Sequence, residues 1–136
     1  MATRNIQHIQ RDGDYVPPSN MPYWLVVVSR DPALTAADMK RLAAQIAATP
    51  VLWIATWGCA ALSWEDALDG EIETRMVEGT CPHPATTSSH DEAETLAEVV
   101  ALVHDVARFE GGCEDDVHVL VIGATVDGIA GLLRDH

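Results

Sequence analysis

Basic residues are scarce in this chain. Only 8 of its 136 residues are lysine or arginine, against 21 aspartates and glutamates, and the formal net charge is −13. Such a field repels the phosphate backbone of nucleic acids and anionic lipid headgroups. The composition therefore argues against binding to nucleic acid or to a membrane surface. Solubility or a basic protein partner are the explanations that it leaves for the acidity.

Cysteine is also rare. Cys59, Cys81 and Cys113 make an odd count without a C-x-x-C pair, which is typical of a reducing compartment rather than of a disulfide framework. No apolar run reaches the ~18 residues of a transmembrane helix, and the first residues show no apolar core of a secretory signal. We therefore expect a cytoplasmic protein.

Regular periodicity is missing from the first part of the chain. Residues 1–22 are polar, contain turn-forming Asp-Gly-Asp and Pro-Pro sequences, and show neither a helical nor a strand pattern. We interpret them as an extended arm. The remaining residues, 23–136, have the length of a single domain.

Three continuous apolar runs rich in β-branched residues follow the arm, at residues 23–29, 51–57 and 117–123. A strand that is apolar on both faces is typical of a parallel sheet covered on both sides. These runs therefore predict three buried parallel strands.

Helical patterns lie between the runs. Thr35 and Asp38 have the spacing of a capping box, and an apolar stripe follows them. A second helix is predicted from Ser63 to Asp69-Gly70, after which weak alternation over residues 71–78 predicts an edge strand. The Ser89-His90-Asp91-Glu92 sequence predicts the start of a long helix over residues 90–108, and a short helix is predicted over residues 126–134.

This alternation predicts a three-layer α/β/α sandwich with a small, mostly parallel sheet of about four strands, Rossmann-like or flavodoxin-like. In such sheets ligands bind beyond the carboxyl ends of the strands. The residues at this edge are therefore the candidates for ligand binding: Arg30, Asp31, Trp57, Thr125 and Asp127.

A zinc site is one possibility among the edge residues. Thiolate and imidazole are the ligands that zinc prefers, and Cys81, His83 and His90 could supply three, with Cys59 or Asp91 as a fourth. The spacing matches no zinc-finger signature, so the alternative is a surface loop with a capping histidine. No cofactor is required by any complete motif.

Nucleophilic catalysis is a second possibility. Cys59 precedes a predicted helix start, where a thiolate is favoured, and His90 or His83 could act as its base. The alternative is a buried cysteine. Nucleotide binding is a third possibility, but the glycine-rich residues 123–131 lack the P-loop lysine and the G-x-G-x-x-G spacing.

Other aromatic and imidazole side chains are interpreted structurally. The four tryptophans fit core packing, with an aromatic-lined pocket or an interface as the alternative. His104 and His118 lie in apolar surroundings and are interpreted as core or boundary histidines rather than ligands.

Two classes of function remain. The first is a binding or regulatory module that acts through protein–protein interaction, as immunity proteins, antitoxins or accessory subunits do. The long helix over residues 90–108 is apolar nearly all round, which predicts that another element or a second copy of the chain covers it. The alternative is a small enzyme or ligand sensor that uses cysteine and histidine side chains, or a nucleotide, at the carboxyl edge of the sheet.

Overall fold

The computed structural model describes residues 5–29, 31, 33–58, 60–80 and 84–123. These residues form five strands and three α-helices in the order β1 (Ile6–Ile9), β2 (Tyr23–Ser29), α1 (Ala36–Ala47), β3 (Val51–Trp57), α2 (Ala61–Val77), β4 (Thr86–His90), α3 (Leu96–Phe109) and β5 (Val117–Ile122). The strands pair in parallel in the order β1-β5-β2-β3-β4.

The central strand β2 shows why the apolar runs form buried strands. All seven of its residues are buried, and because side chains alternate along a strand, they supply two cores. Leu25 and Val27 pack with α1 and α2 on one face, whereas Val26 and Val28 pack with α3 on the other. The predicted three-layer sandwich is therefore confirmed, as are the three strands of the apolar runs.

The strand order reverses beside β2. The chain runs outward from β2 through β3 to β4, and α3 then carries it back across the sheet to β5 on the other side of β2. This is how a Rossmann-like half sheet is wound, and its switch point lies between the carboxyl ends of β2 and β5.

The first segment contributes a strand, β1, that the sequence pattern did not indicate. Ile6–Ile9 pairs with β5, with Ile6 opposite Val119, so part of the segment interpreted as an extended arm belongs to the sheet. Four half-buried residues are too short a run to show alternation. After β1, residues 10–22 cross the α1 side of the sheet, and Tyr15 is buried in that core.

Helix α2 corrects the prediction of a strand over residues 71–78. It begins at Ala61 rather than Ser63 and continues through Asp69-Gly70 to Val77. Trp64, Leu68 and Ile72 are buried at intervals of one helical turn, and this stripe continues past the exposed Gly70. Burial of the stripe outweighs the roughly 1 kcal/mol that a helical glycine costs.

The start of the long helix is also corrected. Residues 86–90 are strand β4, with His90 opposite Trp57 of β3, so no helix begins at Ser89. Helix α3 begins at Leu96, where the Thr95 side chain accepts a hydrogen bond from the backbone N–H of Glu98. In α1 the predicted capping box is confirmed, with Thr35 and Asp38 bonded reciprocally.

The short helix predicted over residues 126–134 lies outside the described residues. Within the part that is described, no helix combines the length and apolarity needed to cross a bilayer.

Candidate functional site

The carboxyl ends of β2 and β5 meet at the switch point of the sheet. Ser29 and Ile122 are their last paired residues, and Gly123 follows with a φ of 78°. A Cβ atom at Gly123 would overlap the side chain and Cα of Asp31. A glycine is therefore required here both by the left-handed backbone and by the close approach of the two strand ends.

Asp31 is the predicted ligand-binding residue that the structure places beside this crevice. Its Oδ1 accepts a hydrogen bond of 2.9 Å from the backbone N–H of Ala33, and its carbonyl accepts one of 3.2 Å from Leu34. The half-buried carboxylate thus shapes the turn into α1. Three other predicted residues, Arg30, Thr125 and Asp127, lie outside the described residues.

Trp57 is placed in the core rather than on the edge. It is 4% exposed and belongs to the apolar cluster between the sheet and α3. Its indole N–H donates a hydrogen bond of 2.8 Å to the carbonyl of Glu94. Trp53 lies on the same face of β3, partly buried against the same cluster.

His90 is the centre of a chain of hydrogen bonds at the end of β4. Its Nε2 lies 2.9 Å from Ser88 Oγ, and its Nδ1 lies 2.5 Å from Glu94 Oε2. Trp53 donates its indole N–H to the same Ser88 Oγ at 3.1 Å. Because that oxygen accepts from Trp53, its own proton is available to His90 Nε2. The Nδ1 proton of His90 then points to the Glu94 carboxylate.

This chain brings together three chemically useful groups. The imidazole is shielded, with 11% of its side chain exposed, whereas the Glu94 side chain is 47% exposed. A hydroxyl, an imidazole and a carboxylate bonded in this order form the arrangement by which serine hydrolases activate a nucleophile. The sequence prediction included His90 but did not link it to Ser88 or Glu94. The spacing S-x-H places both side chains on one face only if residues 86–90 form a strand.

The predicted metal and nucleophile sets have other members besides His90. Cys59, Cys81 and His83 lie outside the described residues. Asp91 accepts a hydrogen bond from the backbone N–H of Ala93, and so forms a turn. Among the residues described by the structure, no group of three His, Cys, Asp or Glu side chains is placed to hold a metal ion.

The outer face of α3 is a second candidate region. Glu98, Leu102, Asp105 and Phe109 are exposed at helical spacing, and they form an outward stripe that alternates acidic and apolar side chains. Phe109 is 94% exposed and Leu102 is 42% exposed. We call these four residues the α3 stripe.

Comparison with protein families matches residues 5–129 to a family described as a domain of unknown function, DUF7684. The chain belongs to the DUF7684 family. No curated protein and no solved structure matches it. The DUF7684 match spans all of the described residues, so the switch-point crevice, the His90 chain and the α3 stripe all belong to the domain that defines the family.

Proposed function

We propose that this DUF7684 protein is a small acidic binding module that acts through contact with another protein, in the manner of an immunity protein, an antitoxin or an accessory subunit. The observation that carries the proposal is the α3 stripe with Phe109 at its end, 94% exposed. Complete burial of such a side chain contributes about 1.5–3 kcal/mol. Aromatic residues are enriched in protein interfaces relative to the rest of the surface.

Charge supports a basic partner for this stripe. Glu98 and Asp105 separate its apolar members, and the whole chain carries a net charge of −13. A partner with an apolar groove between lysines or arginines would match both features. Self-association through the helix predicted over residues 90–108 would instead bring two strongly negative surfaces together. We therefore favour a basic partner, and a second copy of the chain is the alternative occupant of the stripe.

Affinity capture tests the proposal. Wild type, Phe109→Ser and Val77→Ser are immobilised and exposed to native lysate of the source organism at low and high salt. Val77 is an equally apolar, 83% exposed residue on α2 and serves as the matched control. We expect a basic protein that wild type and Val77→Ser retain at low salt and that Phe109→Ser releases.

The retained protein is then purified and titrated against each variant. Loss of the Phe109 side chain should weaken binding about tenfold or more. Equal retention by all three baits would contradict a role for the α3 stripe. Light scattering on the purified variants separates the alternative, because a wild-type dimer that becomes monomeric in Phe109→Ser would identify a second copy as the occupant.

A second candidate function, acyl transfer or hydrolysis, is favoured by the hydrogen bonds that join Ser88, His90 and Glu94. As the Ser88 oxygen attacks an acyl carbon, His90 Nε2 would accept the hydroxyl proton and later return it to the leaving group. Glu94 would hold the imidazole in the tautomer that accepts this proton.

A fluorophosphonate probe tests this second function directly, because it reacts covalently with activated serines. We expect labelling of Ser88 in wild type and its loss in Ser88→Ala and His90→Phe. Ser63→Ala removes an exposed serine on α2 and should leave labelling unchanged. A wild-type protein that does not react, or labelling that survives in Ser88→Ala, would exclude an activated Ser88.

A further inference from the structure

A cavity of about 370 Å³ lies on the α1 side of the sheet, far from the carboxyl edge. Its floor is formed by β1, β5 and β2, where Leu25 and Leu120 contribute apolar surface. Tyr15 and Pro18, from the segment that crosses the sheet between β1 and β2, form its other wall. Most of the lining residues of the strands belong to their amino-terminal halves, and Leu120 lies just past the middle of β5.

The wall formed by residues 10–22 is firmly attached. The Gln7 side chain bonds the backbone of Val16 in both directions, at 2.7 and 3.1 Å. The backbone N–H of Tyr15 donates to Gln45 of α1 at 2.8 Å. Arg41 of α1 donates to two carbonyls of the same segment, at 2.9 and 2.7 Å. These bonds hold the segment above β1 and β5, so the cavity is part of the folded structure.

The polar side chains that line the cavity differ in how far they are already hydrogen-bonded. Asn5 donates to the carbonyl of Val117, the Gln7 amide is bonded at both ends, and the Tyr15 hydroxyl is bonded to Tyr23. His118 also lines the cavity, and its ring meets Tyr23 edge-on at 5.9 Å. Within the described part of the chain, its ring nitrogens form no hydrogen bond.

We propose that this cavity binds a small, uncharged, mainly apolar compound bearing one hydroxyl or amide group, and that His118 recognises that group by a hydrogen bond. The volume lies in the range of small-molecule sites, about 300–1,000 Å³. Ligand sites of this kind combine apolar walls with a few placed polar groups. Leu25, Leu120 and Pro18 provide such walls, and the imidazole provides the polar group.

The charge of the surroundings selects an uncharged ligand. Among the described residues, no lysine, arginine, aspartate or glutamate lines the cavity, so none of them would offer a counter-charge to an anion or a cation. Burial lowers the pKa of His118, with a smaller opposing effect of Asp116 and Asp115. The imidazole is therefore neutral near neutral pH and presents one donor and one acceptor.

The test uses the intact wild-type protein and three probes of similar shape: phenol, toluene and benzoate. Each is titrated while the methyl resonances of Leu25 and Leu120 and the ring resonances of His118 are followed by NMR. We expect saturable shifts with phenol and affinity about three- to tenfold higher than for toluene, as one added hydrogen bond provides. Benzoate should bind most weakly because its charge loses hydration without gaining a partner.

Variants then test the role of His118. In His118→Phe the preference for phenol over toluene should vanish, whereas His118→Gln should keep part of it. His104→Phe, which changes a buried histidine in α3, is the matched control and should keep the full preference. Absence of a saturable shift with every probe in wild type would overturn the cavity as a binding site. Equal binding of phenol and toluene in wild type would overturn the assignment of His118.

Discussion

The two faces of the sheet are built from the same strands but are held in different ways. On the α1 and α2 face, polar bonds cross between elements: Arg41 and Gln45 hold the crossing segment, and the hydroxyls of Tyr15, Tyr23 and Thr49 form a buried chain with distances of 2.7 and 2.6 Å. On the other face, the buried residues of α3 and the strands beneath it are almost all apolar. The polar bonds between elements there come from the indole N–H groups of Trp24, Trp53 and Trp57.

Buried polar groups without a hydrogen-bond partner occur on both faces, since the indole nitrogen of Trp64 in α2 also lacks one among the described residues. His104 of α3 is 7% exposed, and neither of its ring nitrogens has a hydrogen-bond partner among the described residues. It is thus a core histidine, as predicted, but an unsatisfied one. A cavity lies beside the crossing segment on the first face, and the α3 stripe is exposed on the other. We propose that the first face binds a small ligand and that the second contacts a protein.

The largest expected effect tests whether both faces contribute equally to stability. Leu68 of α2 and Leu96 of α3 are both fully buried, on opposite faces. We expect Leu68→Ala and Leu96→Ala each to lower the free energy of unfolding by about 2–5 kcal/mol, because each leaves a cavity. Urea denaturation measures both. A loss of about 0.5 kcal/mol for Leu96→Ala, as for a surface substitution, would show that α3 is peripheral.

The next effect concerns the unsatisfied imidazole. We expect His104→Leu to raise the free energy of unfolding by about 1–3 kcal/mol, since a buried polar group without a partner is removed. Thermal unfolding at neutral pH checks this, with His118→Leu as the comparison on the opposite face. A destabilised His104→Leu variant would show that this imidazole contributes a stabilising contact.

The His104→Leu substitution should also change how the free energy of unfolding falls at acidic pH. Burial lowers the pKa of His104, with smaller opposing effects from Glu114 and Asp105 and a small lowering by Arg108. The unfolded state therefore binds a proton more readily, and stability falls as pH drops through the ordinary histidine pKa of about 6.5. Burial also lowers the pKa of His118, which contributes in the same direction. His104→Leu should therefore reduce the loss of stability at acidic pH without abolishing it.

A smaller effect is expected from the buried tyrosines on the α1 and α2 face. Tyr15→Phe removes the hydrogen bond to Tyr23 and should cost about 1 kcal/mol near neutral pH. Burial raises the pKa of both hydroxyls. Their contribution is therefore complete below the ordinary tyrosine pKa of about 10 and is lost as pH rises above it.

Alkaline unfolding monitored by circular dichroism measures this loss of stability at high pH. We expect the loss to be smaller in Tyr15→Phe than in wild type and unchanged in His104→Leu. An equal response of both variants would show that alkali does not act selectively on the α1 and α2 face.

The smallest expected effect is on stability at the α3 stripe. Phe109→Ser should change the free energy of unfolding by no more than about 0.5 kcal/mol, because the side chain is exposed in the folded chain. Val77→Ser should behave alike. A large loss for Phe109→Ser would show that this side chain is covered in solution.

Sequence patterns predicted the parts of the fold that depend on long local signals. The runs that became β2, β3 and β5 are apolar throughout, and the Thr35–Asp38 capping box lies within four residues. Strand β4, Thr-Thr-Ser-Ser-His, is polar and half-exposed, so only its pairing with β3 identifies it. Gly70 suggested a helix end that the stripe around Leu68 and Ile72 overrides.

The candidate sites were less accessible to sequence reasoning. His90 was recognised as a chemically useful residue, but its bonds to Ser88 and Glu94 depend on a strand that the pattern did not reveal. The cavity beside His118 arises because a segment near the start of the chain crosses a strand near its end. A contact between segments so far apart in the chain leaves no local sequence pattern.

The position of β5 between β1 and β2 has a consequence for folding. The Asn5 side chain donates a hydrogen bond to the carbonyl of Val117 at the start of β5, and the two residues are 112 positions apart in the chain. During synthesis, both neighbours of β5 are made long before β5 itself, so one edge of β2 stays unpaired until β5 is made. Closure of such a long loop is slow, and exposed strand edges are prone to association. Mutations that delay β5 pairing should therefore lower soluble yield more than equilibrium stability.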